Sequence, residues 1–257
     1  MRSKLPRHMN RLLRFLVLLT AAFANLAHSG EVSVAVASNF AGPMQKIATA
    51  FTQASGHTAT LSLGATGKFY AQIKNGAPFE MLLSADAETT ARLEREKLGV
   101  PGTRFVYATG RLALWSSQAG LIDGTPQVLR TGLFERIAMA NPKVAPYGLA
   151  AQQTMTRLGV LGTLKDRLVQ GESIGQTYQF VASGNAALGF VALAQIMQNG
   201  TITQGSAWLV PADHHAPIHQ EAILLQPGKT SEAALALLAF LKTGQARAII
   251  RAYGYEI

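Results

Sequence analysis

Residues 32–63 read VSVAVASNFAGPMQKIATAFTQASGHTATLSL, and this stretch changes pattern twice. The run from Val32 to Ala37 is short and apolar, as in a buried strand. Apolar residues recur at helical spacing from Met44 to Ser55, and Gly56 follows where a left-handed C-terminal cap belongs. Thr58 to Leu63 is a second strand. The order strand, helix, strand predicts a parallel sheet with helices on its faces.

The same alternation continues on both sides of a long extended stretch at 105–115. This stretch is broken by Gly110 and is suited to crossing between two domains, and 220–225 is suited to the return crossing. Further strands are predicted at 79–84, 136–140, 187–191 and 207–210, and helices at 67–75, 90–97 (capped by Asp86), 150–158, 175–183, 192–197 and 230–243, with 245–253 closing the chain. The sequence therefore predicts an α/β protein of two lobes, lobe I from 30–109 and 220–257 and lobe II from 110–219.

Residues 1–29 have the composition of a cleavable signal peptide. Five basic residues precede an apolar run at 15–24, and Ala27-His28-Ser29 offers the small residues that signal peptidase prefers. The apolar run is too short to span a bilayer, which takes about 20 residues. We expect cleavage after Ser29, with cleavage after Ala24 as the alternative, and hence a periplasmic protein.

Removing this leader changes the charge and leaves a chain without cysteine. The full sequence has 23 Lys and Arg against 14 Asp and Glu, a net charge of +9, and residues 30–257 keep 18 against 14, or +4. No basic stripe interleaved with aromatic residues remains, so nucleic acid is not an expected partner. The absence of cysteine leaves no site for lipidation after the leader. We expect a monomer that is free in the periplasm, with no transmembrane span.

Hydroxyls, amides and glycines dominate four turns that precede predicted helices, at 37–40, 63–68, 141–148 and 170–175. Ligands of open α/β sheets bind at the carboxyl ends of strands, where helix N-termini point. Neutral donors beside the positive ends of helix dipoles hold an anion without a full countercharge. Each turn alone is typical of ordinary helix capping, and the four together favour an anion-binding site.

Other motifs are weaker. The fragment Gly64–Lys68 lacks the first glycine and the final Ser or Thr of a phosphate-binding P-loop. His214, His215 and His219 form a local cluster that could bind a metal, but their spacing favours a solvated loop. No histidine stands near the four turns to act as a catalytic base, so an enzyme on this scaffold is the less favoured alternative.

An ordered set of motifs resembles the periplasmic molybdate-binding family of ABC transporter substrate-binding proteins. The motifs are VAVASNFAGPM at 34–44, QIKNGAP at 72–78, LSAD at 83–86, NPKVAPYG at 141–148, ALGFV at 187–191 and YGYEI at 253–257. The resemblance covers 31–257 and implies the two-lobed, type II periplasmic binding protein fold closing over a tetrahedral oxyanion. It also implies molybdate or tungstate as ligand, the membrane permease of an ABC importer as partner, and no cofactor, resident metal cation or catalytic residue.

The resemblance also assigns ligand-binding residues, namely Ser38, Asn39, Thr66, Tyr147 and Ile174. Some family members add a tyrosine hydroxyl where this chain has Ala192, and Asn39 is a candidate for the missing donor. The turns supply donors rather than acceptors, which favours a fully ionised dianion such as molybdate, tungstate or sulfate over phosphate. Glu172 is the one acid nearby and is expected to face solvent. We expect the lobes to hinge at 109–111 and near Gln220.

Overall fold

A computed structural model describes residues 29–257. The predicted signal peptide lies outside the described residues except for Ser29. The strands are β1 Glu31–Ala37, β2 Thr58–Gly64, β3 Met81–Ser84, β4 Phe105–Gly110, β5 Leu112–Ser116, β6 Ile137–Ala140, β7 Leu168–Gly171, β8 Leu188–Ala192, β9 Met197–Gln198, β10 Thr201–Ile202, β11 Ser206–Leu209 and β12 Ile218–Leu224. The helices are α1 Ala41–Ser55, α2 Thr66–Lys74, α3 Ala87–Arg95, α4 Val128–Thr131, α5 Pro146–Arg157, α6 Leu161–Leu164, α7 Ile174–Ala182, α8 Leu193–Ile196, α9 Glu232–Phe240 and α10 Gly244–Ala252.

The first sheet has the strand order β2-β1-β3-β12-β4. Strand β1 runs parallel to β2 and β3, whereas β12 runs antiparallel to β3 and β4. Alternate residues of one strand point to opposite faces. Thus Val34 and Val36 pack with α1, α9 and α10, and Ala35 between them packs with α2 and α3. This sheet therefore has a buried core on both faces.

The second sheet has the order β11-β5-β8-β6-β7, with β6 parallel to β7 and β8 and with β5 antiparallel to β8 and β11. Leu112 and Leu114 face the core formed with α5, and Ala113 and Trp115 face the core formed with α7 and α8. Trp115 is fully buried and stacks on Tyr178. Two mixed sheets flanked by helices confirm the predicted α/β fold.

The two sheets are connected where β4 ends and β5 begins. Gly110 is the last residue of the first sheet before the crossing, and Arg111 lies between the strands. A Cβ on Gly110 would lie 2.0 Å from the hydroxyl oxygen of Tyr147, so this position has room for glycine alone. The chain returns through β12, which begins at Ile218. The lobe boundaries at 109/110 and 219/220 and the hinge stay predictions.

Several predicted boundaries shift for local reasons. The helix predicted at 90–97 is α3, which begins at Ala87 directly after its cap, because the Asp86 carboxylate accepts from the Thr89 N–H at 2.7 Å. The helix predicted at 150–158 is α5, which begins at Pro146, a residue suited to the first helical position. The strand predicted at 79–84 is limited to β3.

The helix predicted at 192–197 is α8, which is one residue shorter at each end, but the hairpin that follows it was not predicted. Helix α8 ends at Ile196, and a hairpin of β9 and β10 follows. Its turn is Asn199-Gly200, where both residues have positive φ, 50° and 78°. Asn-Gly between two short strands is a strong hairpin signal.

No single helix of residues 29–257 is long and apolar enough to cross a membrane. Helices α9 and α10 pass that test as a pair by length and composition, with a bend of 63° between them. Leu237 of α9 and Ile250 of α10 are fully buried in the core of the first sheet.

Candidate functional site

A small cavity lies between the two lobes. Residues of both lobes line it, and all five residues assigned to the ligand are among them. The lining is Ala37, Ser38, Asn39, Gly64, Ala65, Thr66, Ala85, Ala145, Pro146, Tyr147 and Ile174. No acidic, basic or histidine side chain is in this set. The structure therefore brings the predicted residues together around a space lined by neutral groups.

The beginnings of four helices meet at this cavity. Ser38 opens a 3-10 turn, Ser38–Phe40, that runs directly into α1, Thr66 and Ile174 are the first residues of α2 and α7, and Tyr147 is the second residue of α5. The first N–H groups of a helix have no partner within the helix, and that end carries a partial positive charge. Four such ends around one cavity form a site for an anion.

The hydroxyl of Thr66 is placed to donate into the cavity. Thr66 is 1% exposed, and its Oγ1 accepts a hydrogen bond from the backbone N–H of Ala85 at 3.0 Å. Since the oxygen accepts from Ala85, the hydroxyl proton remains available as a donor. Ser38 differs, because its hydroxyl donates to the carbonyl of Gly64 at 2.7 Å. It has to rotate away from that carbonyl to donate to an anion.

The side chain of Asn39 is engaged behind the cavity. Its Nδ2 donates to Oε1 of Gln220 at 2.6 Å and to the hydroxyl of Tyr255 at 2.9 Å, which uses both of its protons. In this arrangement the side chain therefore has no free N–H with which to replace the hydroxyl missing at Ala192. What Asn39 offers to the cavity is its backbone at the start of the 3-10 turn.

Gln195 fixes the start of α7 and was missed by the sequence analysis. Its Nε2 donates to the carbonyl of Ile174 at 3.1 Å, and its Oε1 accepts from the N–H of Ala192 at 3.0 Å. One side chain thus holds together the end of β8 and the first turn of α7. No local sequence pattern reveals this role of Gln195, because its partner Ile174 lies 21 residues earlier.

The lobes touch along one edge of the cavity. The N–H of Gly67 donates to the carbonyl of Val144 at 2.9 Å, and Lys68 Nζ lies 2.9 Å from a carboxylate oxygen of Glu172. The hydrogen bond from Lys68, followed by its charge, lowers the pKa of Glu172. About half of the Glu172 side chain is exposed, as expected. These contacts join lobe I to lobe II, so the structure is closed over the cavity.

Two buried tyrosine hydroxyls lie away from the cavity. Tyr147 lines the cavity, yet its hydroxyl lies against Gly110 at the crossing between the sheets. Burial, with Tyr255 nearby, raises the pKa of Tyr147 well above its ordinary value, and burial does the same for Tyr107. Neither hydroxyl has a hydrogen-bond partner among the described residues. The Tyr147 hydroxyl therefore lies at the crossing between the sheets, while the residue also lines the cavity.

The histidine cluster divides between two elements. His214 and His215 lie in and beside a 3-10 turn at the protein surface, where His214 contacts Asp213 and the edge of Trp208. His219 lies in β12 rather than in a loop, which corrects the prediction for this residue. Within residues 29–257, no group of three or more His, Cys, Asp or Glu side chains is arranged to hold a metal ion.

Two α/β lobes joined by crossing strands, with a cavity of helix starts closed between them, define a solute-binding protein. A sequence profile described as "Bacterial extracellular solute-binding protein" matches residues 32–256. The chain is 49% identical over 245 residues to the molybdate-binding protein ModA of Azotobacter vinelandii, covering 95% of this chain and 97% of that one. It is 48% identical over 237 residues to ModA of Rhodobacter capsulatus, covering 92% of each.

The structure shows the same likeness. It matches the solved Azotobacter vinelandii periplasmic molybdate-binding protein with a TM-score of 0.84 at 42% identity, over 88% of this chain and 99% of that one. The chain belongs to the bacterial extracellular solute-binding proteins and, with these relatives, to the family of molybdate-binding proteins.

Proposed function

We propose that this chain captures molybdate in the periplasm and delivers it to the membrane permease of an ABC importer. The main support for this proposal is the small cavity at four helix starts, which has no charged side chain in its lining. Ser38 and Thr66 donate hydroxyl protons to the anion. Asn39, Tyr147 and Ile174 donate backbone N–H groups. The likeness to molybdate-binding relatives supports the choice of molybdate.

The donor set favours an anion that carries no proton. Phosphate keeps a proton at neutral pH and needs an acceptor such as a carboxylate, and none lines the cavity. A fully ionised tetrahedral dianion accepts hydrogen bonds through all of its oxygens. Hydrogen bonds to a charged group contribute about 1.5–3 kcal/mol each, so several offset the cost of association. We expect a Kd between about micromolar and nanomolar.

Tungstate belongs to the same proposal, because it presents the same charge and the same tetrahedral oxygens to these donors. Sulfate also presents them, but it is smaller and leaves longer distances to donors fixed on two lobes. We therefore expect tungstate to bind like molybdate and sulfate to bind more weakly.

The cycle we propose has no covalent step. The open lobes admit the anion, the hinge at the crossing strands closes, and the closed protein docks on the permease. The basic, apolar leader at 1–29 supports export, and the solved Azotobacter vinelandii relative is called periplasmic. We propose that the protein acts there as a monomer without a cofactor.

A ligand screen tests this function. Residues 30–257 are purified, and the melting temperature is measured with molybdate, tungstate, sulfate, phosphate and citrate, followed by calorimetric titration of each positive. A ligand that binds the folded state alone raises the melting temperature. We expect a large rise with molybdate and tungstate. A rise confined to citrate, or no rise with any of the five, would contradict the proposal.

A further inference from the structure

The C-terminal tail, residues 253–257, lies along the strand that crosses between the lobes. Thr109 of β4 and Glu256 exchange both backbone hydrogen bonds, at 2.7 and 3.1 Å. This pairing directs the side chain of Tyr255 inward, where it is 5% exposed and meets Phe40 edge to face with ring centroids 5.5 Å apart. Phe40 ends the 3-10 turn that borders the anion cavity, so the tail reaches the back of the site.

The hydroxyl of Tyr255 makes two hydrogen bonds to one residue of that turn. It accepts from Nδ2 of Asn39 at 2.9 Å and donates to the backbone carbonyl of Asn39 at 3.0 Å. In an α-helix that carbonyl would accept from the N–H four residues later, but residue 43 is proline and has none. Tyr255 therefore supplies a donor in place of the N–H that residue 43 lacks.

Gln220 holds Asn39 from a second side. Its Oε1 accepts from Asn39 Nδ2, while its own Nε2 donates to the carbonyl of Ile218 at 3.0 Å. The pairing of β12 with β4 shifts register between Gln220 and Glu221. Such a bulge turns a side chain away from its regular direction. The C-terminal tail and strand β12 thus both form hydrogen bonds to the Ser38–Phe40 turn, which lies at the cavity.

We infer that Tyr255 is a positioning residue for anion binding, whose hydroxyl holds the Ser38–Phe40 turn in its binding geometry before the anion arrives. This inference rests on the function proposed above. Tyr255 does not line the cavity, so its effect passes through Asn39. A turn that is already ordered loses little entropy on binding, whereas a loosened turn has to be ordered by the anion at the expense of affinity.

The test replaces Tyr255 by phenylalanine, which keeps the ring and removes the hydroxyl. Tyr253→Phe is the matched control, because it makes the same change in the same tail and the described residues offer its hydroxyl no hydrogen-bond partner. Molybdate is titrated by calorimetry at a temperature where all variants are fully folded. We expect Tyr255→Phe to raise the Kd about tenfold and Tyr253→Phe to leave it unchanged. Equal Kd values for Tyr255→Phe and the unaltered chain would overturn the inference, even with a lowered melting temperature.

Amide hydrogen exchange of the ligand-free protein provides a readout that needs no anion. Loss of the Tyr255 hydroxyl is expected to speed exchange in peptides that cover 38–42, with β8 unchanged. Unchanged exchange at 38–42, or faster exchange throughout the chain, would also overturn the inference. If the unaltered chain gives no heat with molybdate, the proposed function fails, and exchange still decides whether Tyr255 holds the turn.

Discussion

Ser38 and Thr66 bring the hydroxyl groups to the cavity, and the structure gives them different starting positions. The oxygen of Thr66 already accepts from the N–H of Ala85, which leaves its proton for the anion. The hydroxyl of Ser38 is bound to the carbonyl of Gly64. Removing the Thr66 hydroxyl therefore also strips a buried N–H of its partner, whereas removing that of Ser38 frees one carbonyl at the cavity wall.

Ser38→Ala is the cleaner test of a single donor. We expect the Kd for molybdate to rise at least tenfold, about 1.4 kcal/mol, with a small change in the melting temperature of the ligand-free protein. Calorimetric titration measures the effect. The control is Ser183→Ala, an exposed serine at the other end of α7. A Kd for Ser38→Ala equal to that of the control would remove Ser38 from the site.

Thr66→Val keeps the shape of the side chain and removes the hydroxyl. We expect a similar rise in the Kd together with a lower melting temperature, because the buried N–H of Ala85 loses its acceptor at a cost of about 1–3 kcal/mol. Thr49→Val, on the exposed face of α1, is the matched control. A normal Kd with a lowered melting temperature would show that Thr66 has a structural role alone.

For single residues, the sequence predicts those site positions that are determined by a local strand-to-helix turn. Ser38, Thr66, Tyr147 and Ile174 stand at helix starts that follow strands, so their convergence follows from the α/β pattern. The partners behind them do not follow from it. Asn39 meets Gln220 across 181 residues and Tyr255 across 216, and no local pattern relates positions so far apart.

At the scale of elements, glycines near the helix starts let the lobes approach. A Cβ on Gly67, the second residue of α2, would lie 3.0 Å from the Cα and 3.1 Å from the carbonyl oxygen of Val144 in the other lobe. A Cβ on Gly175 would lie 3.0 Å from that of Ser38. The backbone of Val144 cannot move aside as a flexible side chain would, so Gly67 is the more sensitive of the two positions.

The variant Gly67→Ala therefore distinguishes an effect on closure of the lobes from an effect on the stability of the fold. Alanine raises helix propensity by up to about 1 kcal/mol, so the ligand-free protein is expected to be as stable as before or more so. In the closed form the added methyl group clashes with the backbone of Val144 at a cost of about 1–3 kcal/mol. We therefore expect the Kd for molybdate to rise about tenfold. Thermal unfolding and calorimetry measure the two effects. Gly244→Ala, at the start of α10 with open space around it, is the control. Unchanged affinity in Gly67→Ala would contradict the closed arrangement.

The types of the long elements could be predicted from sequence because their apolar residues repeat at the periods of strands and helices. Boundaries could be predicted less well, since a cap such as Asp86 or a proline such as Pro146 sets a helix start before the apolar repeat begins. The short strand β7 and the hairpin of β9 and β10 were missed. They are too short for periodicity, although Asn199-Gly200 marked the hairpin turn.

For the whole molecule, we propose that two lobes close on an anion. The ion pair of Lys68 and Glu172 joins them at the surface, with both side chains about half exposed. An exposed pair is weakened by solvent and salt. We therefore expect the pair to adjust closure slightly and the buried donors of the cavity to supply most of the affinity. Sequence showed both lobes but not their closure, because Lys68 and Glu172 meet only in the folded, closed form.

Glu172→Gln tests the size of that contribution. We expect a rise in the Kd for molybdate of about threefold or less at low salt, vanishing near 1 M NaCl. The lowered pKa of Glu172 means that the pair contributes fully above the ordinary carboxyl pKa and is lost as pH falls through the lowered value. Glu135→Gln, an exposed glutamate outside the cleft, controls for net charge. A larger loss that persists in high salt would make the pair a main source of affinity.

The proposed binding site is tested most directly by an anomalous difference map from crystals grown with molybdate, measured with X-rays near a molybdenum absorption edge. We expect one strong peak in the cavity between the lobes, placed so that the oxygens of the anion reach Ser38, Thr66 and the N–H groups of Tyr147 and Ile174. A peak elsewhere on the protein, or an empty cavity at saturating molybdate, would contradict the proposed site.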